Sequence, residues 1–158
     1  MINRKGFTLV EIMIVVAIIG LLASIAIPNL LRTRMTSNEN AMRMGMRTFS
    51  SGNESYRAIQ NPPTYAPTIA ALTTAGVGPS YLDTTWDTLA KNGFTLTYQV
   101  AAAPAASYSL LAAPTSPGQT AINTYCVDQN GVIVGSTNEG TANIPTGATT
   151  GCAGGINI

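Results

Sequence analysis

The sequence predicts an α+β fold in which one long N-terminal helix, half transmembrane and half amphipathic, packs on a small four-stranded antiparallel sheet. Three patterns predict it. An apolar segment of bilayer length fills 7–27, an apolar stripe with helical spacing follows in 29–60, and short runs that alternate apolar and polar residues occupy the second half. With 158 residues the chain is long enough for one compact domain plus an appendage, and too short for two ordinary domains.

The composition excludes several kinds of site. Hydrophobic residues make up 46% of the chain, charged residues only 9%, and there is no histidine. His-dependent catalytic triads and histidine-containing zinc sites are therefore excluded. The formal net charge of +1 gives no overall basic field, so nucleic acid is not expected as a specific ligand. Without a phosphate loop, a nucleophile elbow or a metal-ligand cluster, we expect no enzyme activity, no catalytic residue, no metal and no cofactor.

The segment 7–27 has the length of a membrane span. Its 21 residues are apolar or small except for Glu11 and two hydroxyl residues, and as a helix they would extend about 31 Å, the thickness of a bilayer core. Arg4 and Lys5 precede it, which predicts a cytoplasmic N-terminus and an outward-facing remainder. A cleavable secretory signal is the alternative, but this apolar core is long for one, and the position of Glu11 near its start does not suit one.

Residues 29–60 are predicted to form the amphipathic half of the same helix. Apolar side chains recur there every seven residues, with two more on the same side, and the stripe they form must be covered. The stripe comprises Met35, Met42, Met46, Phe49, Tyr56 and Ile59. Asn61-Pro62-Pro63 ends the helix because proline cannot continue it. Pro28 lies inside the helix and removes one backbone hydrogen bond, so a bend or local melting is expected there.

Four short antiparallel strands are predicted in the second half, and their apolar face would cover the stripe. The strands are Phe94–Val100, Tyr108–Leu111, Asn123–Val127 and Val132–Val134. Asp128-Gln-Asn-Gly131 is a turn sequence whose glycine favours a positive φ. The region 64–91 is predicted to connect helix and sheet, with a helical turn near 69–74 and Trp86 as its anchor in the core. Residues 137–158 are predicted to form an irregular surface loop.

The first thirty residues contain a specific motif. It begins with Lys5-Gly6-Phe7-Thr8-Leu9-Val10-Glu11, continues through an apolar run to Gly20, and closes with Ala26-Ile27-Pro28. It resembles the N-terminal processing and methylation motif of type IV pilins, type II secretion pseudopilins and competence pilins, and is most like a type IVa pilin precursor. The resemblance implies the type IV pilin fold, divided into a leader peptide (1–6), a transmembrane and filament-core helix (7–28), an amphipathic helix (29–60), and an αβ-loop, sheet and disulfide-bounded C-terminal loop (61–158).

The resemblance also implies how the chain is processed. In this family a prepilin peptidase and methyltransferase cuts after the glycine and methylates the new N-terminal residue, which assigns cleavage to Gly6 and methylation to Phe7. An inner-membrane assembly platform then adds subunits to a helical homopolymer. The precursor is thus expected in the inner membrane with its N-terminus in the cytoplasm, and the mature subunit in an extracellular filament.

Glu11 lies in an apolar helix, where a carboxylate costs on the order of 2.5–3.5 kcal/mol on insertion scales. The family's glutamate is thought to neutralise the N-terminal amine of a neighbouring subunit, so the resemblance assigns Glu11 to assembly, together with Thr8 of the same motif. An ordinary signal anchor with an accidental glutamate is the alternative. Gly20 and Pro28 are assigned to assembly as well, either because the helix loosens between them or because glycine permits close helix contact.

Cys126 and Cys152 are the only cysteines. An even count in an oxidising compartment favours a disulfide, which would close a loop of about 27 residues and contribute roughly 3–4 kcal/mol. In type IV pilins a disulfide near the C-terminus bounds an exposed surface loop, which by resemblance covers 128–151 here. A redox-active or metal-binding pair is the alternative, with no other soft ligand nearby in the sequence.

The charges are unevenly distributed. Arginine predominates in the amphipathic half of the helix (29–60, the stem), and acidic residues predominate beyond residue 57. The stem arginines are Arg32, Arg34, Arg43, Arg47 and Arg57, against Glu39 and Glu54; beyond them Lys91 stands against Asp83, Asp87, Asp128 and Glu139. The two regions could attract one another between subunits, with ordinary solvated surface charge as the alternative.

The expected function is structural: a pilin of a type IV pilus that serves twitching motility, adhesion or DNA uptake. The alternative is a type II secretion pseudopilin that forms a periplasmic pseudopilus for protein export. Pseudopilins commonly carry an acidic calcium-binding loop near the C-terminus. That region offers only Asp128 and Glu139 here, which favours a pilin.

Overall fold

The computed structural model describes residues 6–74, 80–102, 105–136 and 152, and the backbone of 156–157. The elements in chain order are α1 (Leu9–Ile59), α2 (Ala70–Thr73), a 3₁₀ turn (Thr84–Thr88), β1 (Ala90–Lys91), β2 (Phe94–Val100), β3 (Tyr108–Pro114), β4 (Thr124–Asp128), β5 (Ile133–Ser136) and β6 (Ile156–Asn157). The chain forms two compact units, the first ending at Arg34 and the second beginning at Met35. Met35 is the first buried residue of α1, so the second unit begins where the core begins.

The first unit is helical from Leu9 onward and leaves its apolar side chains exposed. Among the described residues, α1 is the one helix long and apolar enough to cross a membrane, and its most apolar part is not buried. The helix continues through Gly20 and Pro28. The local melting expected at Pro28 is therefore absent from this structure, since only one backbone hydrogen bond is lost and the neighbouring turns remain intact.

The stem part of α1 supplies one side of the core. Met42, Met46 and Phe49 are fully buried, and Tyr56 packs on the same cluster. Ile59, assigned to the same stripe, is instead 68% exposed, because it is the last residue of the helix. Gly52 is also buried: a Cβ there would lie 3.1 Å from Leu82 Cδ2, so the absence of a side chain lets the connecting region approach the helix.

The sheet is an antiparallel meander in the order β1-β2-β3-β4-β5-β6. The four predicted strands are all present, but the predicted strand count was too low: β1 and β6 add a short strand at each edge. With two residues each, β1 and β6 are too short to show an alternating pattern in the sequence. Gly131, in the turn before β5, has the expected positive φ of 71°.

Both faces of the central strands are buried. Leu110, Val127 and Ile133 belong to the core cluster that includes Phe49 of α1. Neighbouring residues in the same strands point the other way, and a second cluster contains Leu111, Cys126, Val134 and Cys152. Because β3 is buried over its whole length, it cannot show the inward and outward alternation of a half-exposed strand.

The connecting region is held against helix and sheet by buried polar and aromatic contacts. Trp86 is 1% exposed and its ring lies 5.3 Å from that of Phe49, so it is the predicted anchor. Asn53 Nδ2 donates to Tyr98 Oη (3.2 Å), its Oδ1 accepts from the Ala66 amide (3.1 Å), and Tyr98 Oη donates to the Ala66 carbonyl (2.6 Å). Burial raises the pKa of Tyr98 to about 12.

Candidate functional site

The N-terminus of α1 is capped by reciprocal hydrogen bonds between two residues, Thr8 and Glu11. The Thr8 amide and hydroxyl donate to Glu11 Oε2 at 2.8 and 2.7 Å, and the Glu11 amide donates to Thr8 Oγ1 at 3.3 Å. This is a capping box, in which two orphan amides at a helix N-terminus find side-chain acceptors. The carboxylate also lies at the positive end of the helix dipole. The spacing Thr-x-x-Glu was readable in the sequence as a capping box, and the sequence analysis missed it.

Glu11 uses only one of its oxygens in this arrangement. Oε2 accepts both hydrogen bonds from Thr8, whereas Oε1 accepts none from any residue that the structure describes. One oxygen therefore organises the helix end, and the other is available to a donor outside the subunit.

The backbone preceding the cap is open. Gly6 has nothing within 4 Å of where a Cβ would lie, and Phe7 is 85% exposed. Among the described residues, none packs closely on either of these two positions. Gly20 is equally open, with nothing within 4 Å of its Cβ position. The structure brings Thr8 and Glu11 together; Gly20 and Pro28 lie further along α1 and do not join them.

The second candidate feature is the disulfide between Cys126 and Cys152. The two Cα atoms are 5.7 Å apart, and the residues are 0% and 6% exposed. Leu111 and Val134 complete its apolar surroundings. The disulfide expected from the two cysteines is therefore present, at the outer face of the sheet. The predicted loop 128–151 lies mostly outside the described residues, which include only 128–136 of it.

Asp128 supports this disulfide from within the fold. It is only 8% exposed; its Oδ2 accepts from the Cys152 amide (3.2 Å) and its Oδ1 from the Asn130 amide (2.9 Å). The carboxylate thus joins the turn after β4 to the segment that carries Cys152. The sequence pointed to a turn at this position, but the contact across 24 residues required the tertiary structure.

Glu39 is a third organised carboxylate, on the stem of α1. Its Oε1 accepts from the amides of Ile122 and Asn123, and its Oε2 accepts from the Asn123 side chain and the Tyr125 hydroxyl, all at 2.8–3.1 Å. Partial burial works to raise the pKa of Glu39, but the hydrogen bonds from Asn123 and Ile122 outweigh it, and the pKa lies below its usual value. The sequence analysis treated Glu39 as a stem charge and missed this role.

Comparisons with known proteins identify the family of this chain. The family model for the prokaryotic N-terminal methylation motif matches residues 1–27. The chain is 33% identical over 110 residues to the type IV wide pilus major component PilA4 of Thermus thermophilus, which covers 70% of this chain and 73% of that protein. The chain belongs to the type IV pilin family.

Shorter matches of this pilin include a second type IV pilin and a type II secretion protein. It is 40% identical over 72 residues to the type IV major pilin protein PilA of Myxococcus xanthus, across 41% of this chain and 33% of that protein. It is 31% identical over 79 residues to the type II secretion system core protein G of Aeromonas hydrophila, across 41% and 55% of the two chains. No solved structure matches this pilin.

Proposed function

We propose that this pilin is the structural subunit of a type IV pilus, held in the inner membrane as a precursor and then polymerised into an extracellular filament. One observation carries the proposal: the first unit is an apolar helix of bilayer length that the rest of the chain leaves uncovered. An apolar surface of that size needs a cover. Lipid supplies it before assembly, and neighbouring copies of the same helix supply it afterwards.

Processing follows from the open backbone before the cap. A prepilin peptidase and methyltransferase cleaves after Gly6 and methylates the new amine of Phe7. The methylation motif that matches residues 1–27 and the open surroundings of Gly6 and Phe7 support the assignment. Cleavage removes two of the basic residues, Arg4 and Lys5, and leaves one cationic amine near the capped helix end.

Glu11 provides the partner for that amine. Its Oε1 accepts no hydrogen bond within the described part of the subunit, while Oε2 is held by Thr8. A charged amine from a neighbouring copy would pair with this oxygen in the apolar filament core, where attraction between charges is strong. An unpaired carboxylate in the apolar core is unfavourable, so subunits would be stable only in the register that pairs Glu11 with the amine.

The orientation and the compartments fit this route. Arg4 and Lys5 hold the N-terminus in the cytoplasm, so 29–158 lies outside the inner membrane, where an assembly platform receives the subunit. The buried disulfide suits the oxidising side of that membrane. Residues 7–28 then form the filament core, and 29–60 with 61–158 form its shell.

Mass spectrometry and electron microscopy test the proposal. The main subunit of sheared surface filaments is expected to begin at a methylated Phe7 and to contain the disulfide. Deletion of the gene is expected to abolish the filaments. Filaments without this chain, or a mature N-terminus other than Phe7, would contradict the proposal.

The second candidate is a pseudopilin of a type II secretion system, favoured by the matches to core protein G. These matches cover 41% and 43% of this chain, less than the 70% covered by PilA4. The same deletion distinguishes the two functions. Loss of secreted proteins with surface filaments intact would show a pseudopilin.

A further inference from the structure

An open cleft lies on the second unit. It has a volume of about 580 Å³ and is lined by residues 67–70 before and at the start of α2, by β2, by Asp87 of the 3₁₀ turn and by Leu89. Its lining includes the apolar side chains of Ile69, Leu89 and Leu96, and Asp87 is its single acidic residue. The cleft is thus a largely apolar surface with one negative charge.

One oxygen of the Asp87 carboxylate accepts a hydrogen bond, and the other accepts none from the described residues. The hydroxyl of Thr73, a buried residue, donates to its Oδ1 at 2.7 Å, whereas Oδ2 accepts no hydrogen bond from any described residue. Nor does a cation contact Asp87 in the described part of the chain. Asp83, four residues earlier, is different because Lys91 Nζ lies 3.5 Å from its Oδ1. The hydrogen bond to Oδ1 therefore fixes the carboxylate of Asp87, while Oδ2 remains available to a donor.

Leu89 gives the cleft a second unusual feature. It is 45% exposed, and its backbone is in the left-handed region with φ 53° and ψ 18°. A leucine rarely adopts this conformation. The surrounding structure holds it, since the Leu96 amide donates to the Leu89 carbonyl at 2.7 Å. Strained residues of this kind concentrate at sites of binding, and here the strain presents an apolar side chain beside Asp87.

The stem of α1 carries the complementary charge. Both oxygens of Glu39 accept hydrogen bonds from Ile122, Asn123 and Tyr125, so no arginine of the stem forms a hydrogen bond to this carboxylate in the described part of the chain. Arg43 donates to Asn40 Oδ1 at 2.8 Å. Arg47 is exposed and makes no hydrogen bond or ion pair with a described residue. It also belongs to the same compact unit as the cleft, whereas Arg34 belongs to the unit of the apolar helix.

We propose that the cleft receives Arg47 of a second copy of this chain, with the methylene groups of the arginine on the exposed side chain of Leu89 and its guanidinium paired with Asp87. Arginine suits such a site because its alkyl part covers apolar surface while its planar head pairs with both oxygens of a carboxylate. The contact rests on the proposed function, since it forms between subunits of the filament. It adds a link in the shell that the helical core does not provide.

Charge variants of the full chain, each expressed beside the wild type in the native host after deletion of the chromosomal gene, test the contact. Asp87→Arg and Arg47→Asp are each expected to lower the yield of sheared filaments about tenfold, the factor for losing ~1.4 kcal/mol per contact. The double variant exchanges the two charges and is expected to restore the yield. Asp83→Asn is the matched control, and its yield is expected to equal that of the wild type, whereas Asp87→Asn lowers it. Membrane-held subunit with an intact disulfide shows that each variant folds.

The results separate the contact from the function. Single variants that assemble like the wild type, or a double variant that stays as defective as the singles, would overturn the contact while the filament remains established. Rescue of Arg34→Asp, and not of Arg47→Asp, by Asp87→Arg would overturn the assignment to Arg47. If the wild type forms no filaments, the proposed function fails instead.

Discussion

Glu11 shows how one charged residue can have two consistent roles. Within the subunit it caps its own helix through Oε2, and the other oxygen remains available for a neighbour. Capping explains why the carboxylate can be stored in an apolar helix before assembly, because a hydrogen-bonded charge at a helix N-terminus is stabilised locally. In the proposed filament, the cationic amine of a neighbouring copy would pair with Oε1.

Glu11→Gln separates the two roles. The amide still accepts hydrogen bonds from Thr8, so we expect the precursor to accumulate in membranes as the wild type does, while sheared filaments fall at least tenfold because the charge that pairs with the amine is lost. Membrane fractions and sheared filaments are quantified from the same cells. Thr8→Val is the comparison variant: it weakens the cap, which costs ~1 kcal/mol, but keeps the charge, so its filament yield is expected to fall less than that of Glu11→Gln. A Glu11→Gln variant with a normal filament yield would contradict the proposed pairing.

Asn53 is a fully buried residue that ties the connecting region to α1. Asn53→Ala leaves the Ala66 amide without its acceptor and removes one partner of Tyr98. Each unsatisfied buried group costs about 1–3 kcal/mol, so we expect a loss of about 2–4 kcal/mol in the free energy of unfolding. Thermal unfolding of the full chain in detergent measures it. Ser55→Ala, on the exposed side of the same helix, is expected to change stability by less than about 0.5 kcal/mol.

Glu39 links stability to pH. Its pKa in the folded chain lies below the ordinary value of 4.5, so the charged form is favoured by folding. This contribution to stability is fully present above pH 4.5 and is lost as the pH falls through the lower folded pKa. We expect Glu39→Gln to be less stable than the wild type at pH 7 and to lose less stability on acidification below pH 4.5. Urea unfolding across this pH range measures both slopes; equal slopes would contradict the role.

The disulfide is the covalent link between strand β4, which contains Cys126, and the segment that contains Cys152. Cys126 and Cys152 are both buried, so a reductant reaches them only after local opening. Replacing both with serine is expected to lower the free energy of unfolding by about 3–4 kcal/mol. Denaturant unfolding of wild type and variant, with and without reductant, measures the loss. Reductant should affect only the wild type.

The helix α1 is continuous in the subunit, so any loosening between Gly20 and Pro28 belongs to assembly. Pro28→Ala raises the local helix propensity by about 3 kcal/mol. If assembly requires the helix to open there, the variant should accumulate as membrane precursor and yield fewer filaments. Electron microscopy of wild-type filaments checks the same point directly. A helix that remains unbroken through Pro28 in the filament would assign Gly20 to close helix contact instead.

At the scale of the whole molecule, the chain combines two units with opposite needs. The second unit buries its apolar stripe on the sheet and fixes its connections with the carboxylates of Glu39 and Asp128. The first unit leaves its apolar side chains exposed and has no such partner among the described residues. Assembly into a filament would cover the exposed apolar side chains of the first unit. The proposed contact between Arg47 and Asp87 would likewise give two charged groups of the shell a partner in another copy.

The spacing of apolar residues and the positions of proline and turn residues were sufficient to predict the long helix, the buried stripe and the four main strands. These features depend on local patterns: a bilayer-length apolar run, a seven-residue repeat of apolar side chains, and alternation between turn residues. The motif from Lys5 to Glu11 was sufficient for the family. Even the capping box was local, since Thr8 and Glu11 are three residues apart.

The long-range contacts were decided by tertiary structure. Nothing in the sequence pairs Glu39 with Asn123, or Asp128 with the Cys152 amide, because these residues are separated by 84 and 24 positions and meet only after the sheet has formed. The same holds for the cleft, where Asp87 and Leu96 lie close because two loops and a strand converge. The sequence alone was enough to identify the family and to predict an apolar helix of bilayer length. The fold decided which charges are already satisfied and which remain open to a second copy, because charge pairing depends on distance in space and not along the chain.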